Sequence, residues 1–147
     1  MDEKTIGKIL VLTDRGEEEY SGMLSFKDEK IEVYPLSEAN DVLQDCEVDL
    51  ILLDCTVDAD EGLKVLEENK TNCPLIPNIF ITNLTAEGIV LRAFRAGARD
   101  FFRKPVNISE LQNTIQRLLY LRKSCREKRF PFIKTNPQLT SYLLTAG

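Results

Sequence analysis

Val48-Asp49-Leu50-Ile51-Leu52-Leu53-Asp54 is the most hydrophobic stretch of this 147-residue chain, and it ends on an acid. A nearly continuous apolar run of this length predicts a strand buried on both faces, which is the habit of parallel sheets. Shorter β-like runs lie on either side. Residues 6–12 center on Lys8-Ile9-Leu10-Val11-Leu12. Residues 31–34 form a second run, stopped by Pro35. Downstream come residues 77–82, with Pro77 at the tolerated first position, and residues 99–103.

Helical patterns separate these runs. Residues 17–26 predict a first helix with a thin apolar face (Tyr20, Met23, Leu24), weakened by Gly22. Ser37 is the expected N-cap of a second helix bearing Ala39, Val42, Leu43 and Cys46. Leu63, Val65 and Leu66 mark a third. Thr85 caps a fourth, with Ile89, Val90, Ala93 and Phe94, and Gly97 ends it in a left-handed turn. Asn107 and Glu110 hold the Ncap and N3 positions of a capping box. They open a last helix with Leu111, Ile115, Leu118 and Leu119 on one face. Five strand–helix units in series predict an α/β fold: a five-stranded parallel sheet with right-handed crossovers and helices on both faces.

Composition excludes several classes of protein. Hydrophobic residues at 43% and charged residues at 29% make a globular chain rather than a disordered one. The polar start, Met1-Asp2-Glu3-Lys4, lacks the cationic and apolar regions of a secretory signal, which reads as a soluble cytoplasmic protein. No histidine occurs, so His-based acid–base catalysis, Ser-His-Asp triads and His metal sites are excluded. The four cysteines (Cys46, Cys55, Cys73, Cys125) show no C-x-x-C spacing, and the expectation is neither disulfide nor zinc. Six basic residues and one acidic residue follow Leu121, leaving 13 basic against 23 acidic in residues 1–121, net −10. An acidic body of this kind is a poor nucleic-acid binder. The basic run reads as a solvated linker or C-terminal arm over 122–147, after a domain over 1–121.

In parallel α/β sheets the working crevice lies beyond the carboxyl ends of the strands. The residues there are Thr13 and Asp14, then Asp54, Thr82 and Lys104. Two carboxylates about 4 Å apart repel by about 4 kcal/mol at an effective dielectric of about 20. The pair therefore implies a bound divalent metal, and an oxygen-only set with open positions suits Mg2+. Thr82 can donate to an anionic oxygen, and Lys104 supplies a compact positive charge for a phosphate. Such a group has what the formation of an aspartyl phosphate requires.

These residues resemble the receiver domain of two-component response regulators, of which the chemotaxis response regulator is the single-domain example. The resemblance runs from about residue 8 to 121. It is carried by Lys8-Ile-Leu-Val-Leu-Thr-Asp14, Val48-Asp-Leu-Ile-Leu-Leu-Asp54, Glu61-Gly62, Ile79-Phe-Ile-Thr82 and Ala96-Gly-Ala-Arg-Asp-Phe-Phe-Arg-Lys104-Pro105. It implies a flavodoxin-like doubly wound fold. By the same resemblance Asp54 is the phosphoacceptor, and Asp14, Asp54 and the backbone carbonyl of Thr56 hold Mg2+. Thr82 and Lys104 bind phosphoryl oxygens, Phe101 is the switch aromatic, and the Lys104–Pro105 bond is cis. A sensor histidine kinase is the implied partner. A homodimer through the fourth-helix, fifth-strand and fifth-helix face is implied as well. The implied role is that of a signaling domain, not an enzyme.

The chain departs from the family pattern at four places, one of them Thr56, which replaces a common Asn two residues after Asp54. Thr13 stands where a second acid is usual, which removes one negative charge from the metal site. Arg15 is placed to compete with the metal for Asp14. Asp58 replaces a usual proline and puts an extra acid near the site. These features favor an alternative, a degenerate receiver that acts as a phosphorylation-independent interaction module. A phosphatase of the haloacid-dehalogenase type also uses a strand-end Asp, a Thr and a Lys. It needs a general acid two residues past the nucleophile, where this chain has Thr56, and an acid pair after the lysine. A flavin carrier fits poorly, because four acids in residues 14–19 repel a cofactor phosphate. Residues 133–143 faintly resemble the entry to the ATPase domain of nitrogen-regulator-type activators, which implies an output domain beyond residue 147. Phe101 and Phe102 alternate, so one is expected to face inward and the other outward.

Overall fold

The computed structural model describes residues 7–14, 29–84 and 88–135, with side chains through Ser124. Five strands form one sheet: β1 (Gly7–Thr13), β2 (Glu29–Pro35), β3 (Leu50–Asp54), β4 (Asn78–Thr82) and β5 (Asp100–Arg103). Their order is β2-β1-β3-β4-β5, and every pairing is parallel. The order reverses between β1 and β3, and Thr13 lies in register with Asp54 across that junction. Each strand falls within two residues of its predicted bounds, because the apolar runs that define them fill the sheet's center.

Side-chain alternation splits the core into two layers. Ile9, Val11, Leu50, Leu52, Ile79 and Ile81 face one side. There they meet Leu111, Ile115, Leu118 and Leu119 of α4 (Ile108–Thr135). Leu10, Leu12, Ile51, Leu53 and Phe80 face the other. Residues of α1 (Ala39–Val42), α2 (Ala59–Asn72) and α3 (Ile89–Ala96) cover them. Leu50 through Leu53 are wholly buried, which explains why their run alternates with no polar face.

The predicted first helix and the Thr85 cap lie outside the described residues. Ser37 does not cap a helix: it sits within a 3-10 turn, Leu36–Glu38, and α1 begins at Ala39 with no side-chain cap. The turn after Pro35 uses up the position that spacing assigned to the cap. The expected cap at Asn107 forms, its carboxamide oxygen accepting the Glu110 N–H at 3.1 Å. Gly97 ends α3 with a φ of +120°, a conformation side chains disfavor. Gly62 lets α2 lie against β3, since a Cβ there would sit 2.0 Å from Cys55 Sγ. α4 continues through the basic run to Thr135. Arg, Lys and Glu are strong helix formers, so the charges do not stop it.

Cys46 and Cys73 form a disulfide, contrary to the expectation of none. Cys46 lies in the α1–β3 turn with φ +54°, and Cys73 caps the end of α2. The two turns meet at the amino-end rim of the sheet and bring the Cα atoms to 5.7 Å. Only the tertiary fold joins residues 27 apart in this way.

Candidate functional site

The site forms at the carboxyl-end rim where the strand order reverses. Asp54 closes β3 and its side chain is fully buried. A buried carboxylate needs partners, and it has them. Lys104 Nζ stands 2.9 Å from Oδ1 and 3.1 Å from Oδ2. Thr56 Oγ1 donates to Oδ1 at 3.2 Å, and Thr13 Oγ1 donates to Oδ2 at 3.4 Å. Lys104 also donates to Thr56 Oγ1 at 3.2 Å. Lys104 is held in place from β4, its backbone N–H donating to the Thr82 carbonyl at 2.9 Å. The Lys104–Pro105 bond is cis, as the resemblance implied.

Asp14 lies one residue beyond β1. Its carboxylate accepts three backbone N–H groups of the β3–α2 loop: Thr56 at 2.9 Å, Val57 at 2.7 Å and Asp58 at 3.1 Å. This clamp fixes the loop that follows Asp54. Asp58, the expected extra acid near the site, also caps α2 by accepting from the Asp60 and Glu61 N–H groups. Thr82 is buried beside the site, its hydroxyl donating to the Cys55 carbonyl and accepting the Leu84 N–H at 3.1 Å. Cys55 is wholly buried, and desolvation, reinforced by the nearby Asp14 and Asp54 carboxylates, pushes its thiol far above the ordinary range.

Phe101 turns inward, stacked on Phe80 with centroids 5.9 Å apart. Arg103 links it to the site's rim: the guanidinium lies 5.7 Å from the Phe101 ring and donates to the Leu84 carbonyl at 2.9 Å. Phe101 and Phe102 face opposite sides of the sheet, as their alternation predicts, but neither points wholly to solvent. Both are half-buried on opposite layers, Phe102 toward the α4 side, because helices cover both faces of the sheet.

The structure thus gathers Asp54, Lys104, Thr13 and Thr56 into one hydrogen-bonded group, with Thr82 beside it at the end of β4 and Asp14 just past β1. Phe101 stands on β5, two strands from Asp54. Sequence reasoning did not foresee the Thr56 and Thr13 hydroxyls on Asp54, nor Arg103. A hydroxyl at a strand-end position next to an acid was the available signal. Asp14, Asp54 and the Thr56 carbonyl, the ligands the resemblance implies, would offer oxygen alone, a set that fits a hard divalent cation keeping several waters.

A family model described as the response regulator receiver domain matches residues 23–116, and the chain belongs to that family. The matched residues include Asp54, Thr82, Phe101 and Lys104, while Thr13 and Asp14 precede them. The chain is 32% identical over 71 residues to the transcriptional regulatory protein ZraR of Salmonella typhimurium, covering 48% of this chain and 16% of that protein. It is 31% identical over 125 residues to the transcriptional regulatory protein RprY of Bacteroides fragilis, covering 81% of this chain and 51% of that one. This chain therefore spans between a sixth and about half of those relatives. A CheY-like receiver domain protein from Methanospirillum hungatei superposes with a TM-score of 0.72 at 22% identity, covering 82% of this chain and 98% of that structure. That likeness establishes the flavodoxin-like fold. Among the described residues no helix is long and apolar enough to cross a membrane.

Proposed function

We propose that this chain is a phosphoryl-accepting switch in a two-component pathway, with Asp54 as acceptor. The observation that carries the reading is a fully buried strand-end carboxylate met by the Lys104 ammonium at 2.9 Å, at the point where the strand order reverses. The donor is a phosphohistidine on a sensor histidine kinase. An Asp54 oxygen attacks phosphorus in line; an O–P bond forms and the N–P bond breaks. The electron pair stays on the departing imidazole nitrogen, which takes up a proton. Lys104 follows the negative charge from the carboxylate to the phosphoryl oxygens. Thr82 turns from the Cys55 carbonyl to donate to one of them. Asp14, Asp54 and the Thr56 carbonyl would hold Mg2+, which would supply further neutralization of phosphoryl charge.

Movement of Thr82 pulls on the β4–α3 loop, which Arg103 ties to Phe101. The readout is the α3–β5–α4 face, the fourth-helix, fifth-strand and fifth-helix face of the resemblance. It carries exposed Leu91 and Phe94 and suits a second copy of the chain. The domain over 1–121 acts in the cytoplasm, and α4 carries the chain beyond it toward an output domain of a longer regulator, a reading supported by the part of its relatives that the chain spans. The receiver itself is neither an enzyme nor a nucleic-acid binder.

A second reading, a phosphorylation-independent interaction module, draws on Asp14. Its carboxylate is already engaged by three N–H groups, and Thr13 brings no charge. Peptide mapping after incubation with acetyl phosphate and Mg2+ separates the two. The first reading expects the phosphoryl group on the peptide containing Asp54. An unmodified peptide from folded protein favors the second.

A further inference from the structure

We infer that Cys46 and Cys73 form a thiol–disulfide exchange site, a reversible couple whose co-reactants are low-molecular-weight thiols and disulfides. Three observations support a couple rather than a fixed staple. First, the backbone suits both states. The Cα atoms stand 5.7 Å apart, inside the span a disulfide needs. The reduced thiols would also find acceptors: the Asn72 carbonyl lies 3.3 Å from Cys46 Sγ, and the Leu43 carbonyl 3.6 Å from Cys73 Sγ. Neither sulfur is left without a partner on reduction.

Second, the two sulfurs differ in access. Cys73 is buried, whereas Cys46 is only partly buried, in a surface turn. Exchange requires a sulfur that an external reactant can reach, and Cys46 is that sulfur. In the oxidizing direction the Cys46 thiolate attacks a small disulfide RSSR, forming a mixed disulfide and releasing one RS⁻. The Cys73 thiolate then attacks the Cys46 sulfur and releases the second RS⁻. Two protein thiols lose two protons and two electrons, and one small disulfide becomes two thiols. Reduction runs the same steps backward.

Third, the bond encloses the acceptor segment. Residues 46 to 73 contain all of β3, the β3–α2 loop clamped by Asp14, and all of α2. Oxidation closes this segment into a covalent ring with Asp54 inside it. The couple lies at the opposite rim of the sheet from Asp54, so it acts on the segment's opening and not on the acceptor chemistry. The inference does not depend on phosphorylation.

The test equilibrates the full chain in buffers of varied reduced-to-oxidized glutathione ratio. Samples are acid-quenched, denatured, alkylated with N-ethylmaleimide and weighed intact. By intact mass and peptide mapping, four adducts are expected in excess reduced glutathione, and in excess oxidized glutathione the Cys46 and Cys73 peptides are expected to be joined to each other and to carry none. Cys46→Ser is expected to leave Cys73 alkylated by the maleimide at every ratio, because Cys73 is shielded. Four adducts in excess oxidized glutathione would overturn the inference. So would a pair that stays bonded at every ratio, or a bond mapped to Cys125.

Discussion

Lys104 places its ammonium on both oxygens of a carboxylate with no exposure to solvent, so each group is the other's main compensation for burial. Lys104→Ala leaves that charge unpaired. It is expected to lower stability by about 3 kcal/mol in urea unfolding, and Lys104→Ala with Asp54→Asn is expected to recover most of it. Loss in the single variant with no recovery in the double would show that Lys104 contributes through packing instead. Cys55 responds to the same environment. Its thiol, pushed up by burial and flanking carboxylates, is expected to resist iodoacetamide at pH 8 in the folded chain and react only on unfolding. Rapid labeling in native buffer would contradict this. At the residue scale the acid and the lysine were legible because both stand at strand ends. The hydroxyls of Thr13 and Thr56 were not, because a hydroxyl's partner depends on register and loop path that no local pattern encodes.

α2 meets the sheet through Gly62, and that contact sets how close the helix can lie. Gly62→Ala drives a methyl to 2.0 Å from Cys55 Sγ and 3.0 Å from Phe80 Cε1. A destabilization of about 2 kcal/mol is expected from thermal melts. Cys55→Ala in the same chain is expected to relieve part of it, and additive losses would contradict the packing account. The start of α2 gives a second test. Asp58→Ala is expected to cost about 1 kcal/mol and Asp58→Asn little, since both Asp and Asn cap. Equal losses would mean that the charge, not the cap, is what matters there. The strands were legible from their apolar runs. Asp58 was read as an extra acid near the site, where it does stand, but its capping of α2 was not foreseen because nothing local separates a capping acid from any other. α1 was predicted longer than its four residues because Leu43 and Cys46 keep helical spacing while the chain has already turned.

At the scale of the whole molecule, the parallel sheet and its two covered faces followed from alternating strand and helix patterns, and the family match agrees with them, whereas the strand order came only with the structure. The Cys46–Cys73 bond was illegible, because it joins two turns that only the finished fold brings together. A closed segment of this length is worth about 3.5 kcal/mol in the chain-entropy view, so reduction is expected to lower the melting midpoint by on the order of 10 °C. An unchanged midpoint would show that the bond constrains little. The opposite rim carries the central claim, that Asp54 accepts a phosphoryl group. The most direct measurement is intact mass after incubation with acetyl phosphate, for wild type and Asp54→Asn, with and without Mg2+. A gain of about 80 Da in wild type alone, lost when Mg2+ is withheld, is the expected result. No gain in folded wild type, or an equal gain in Asp54→Asn, would contradict the account.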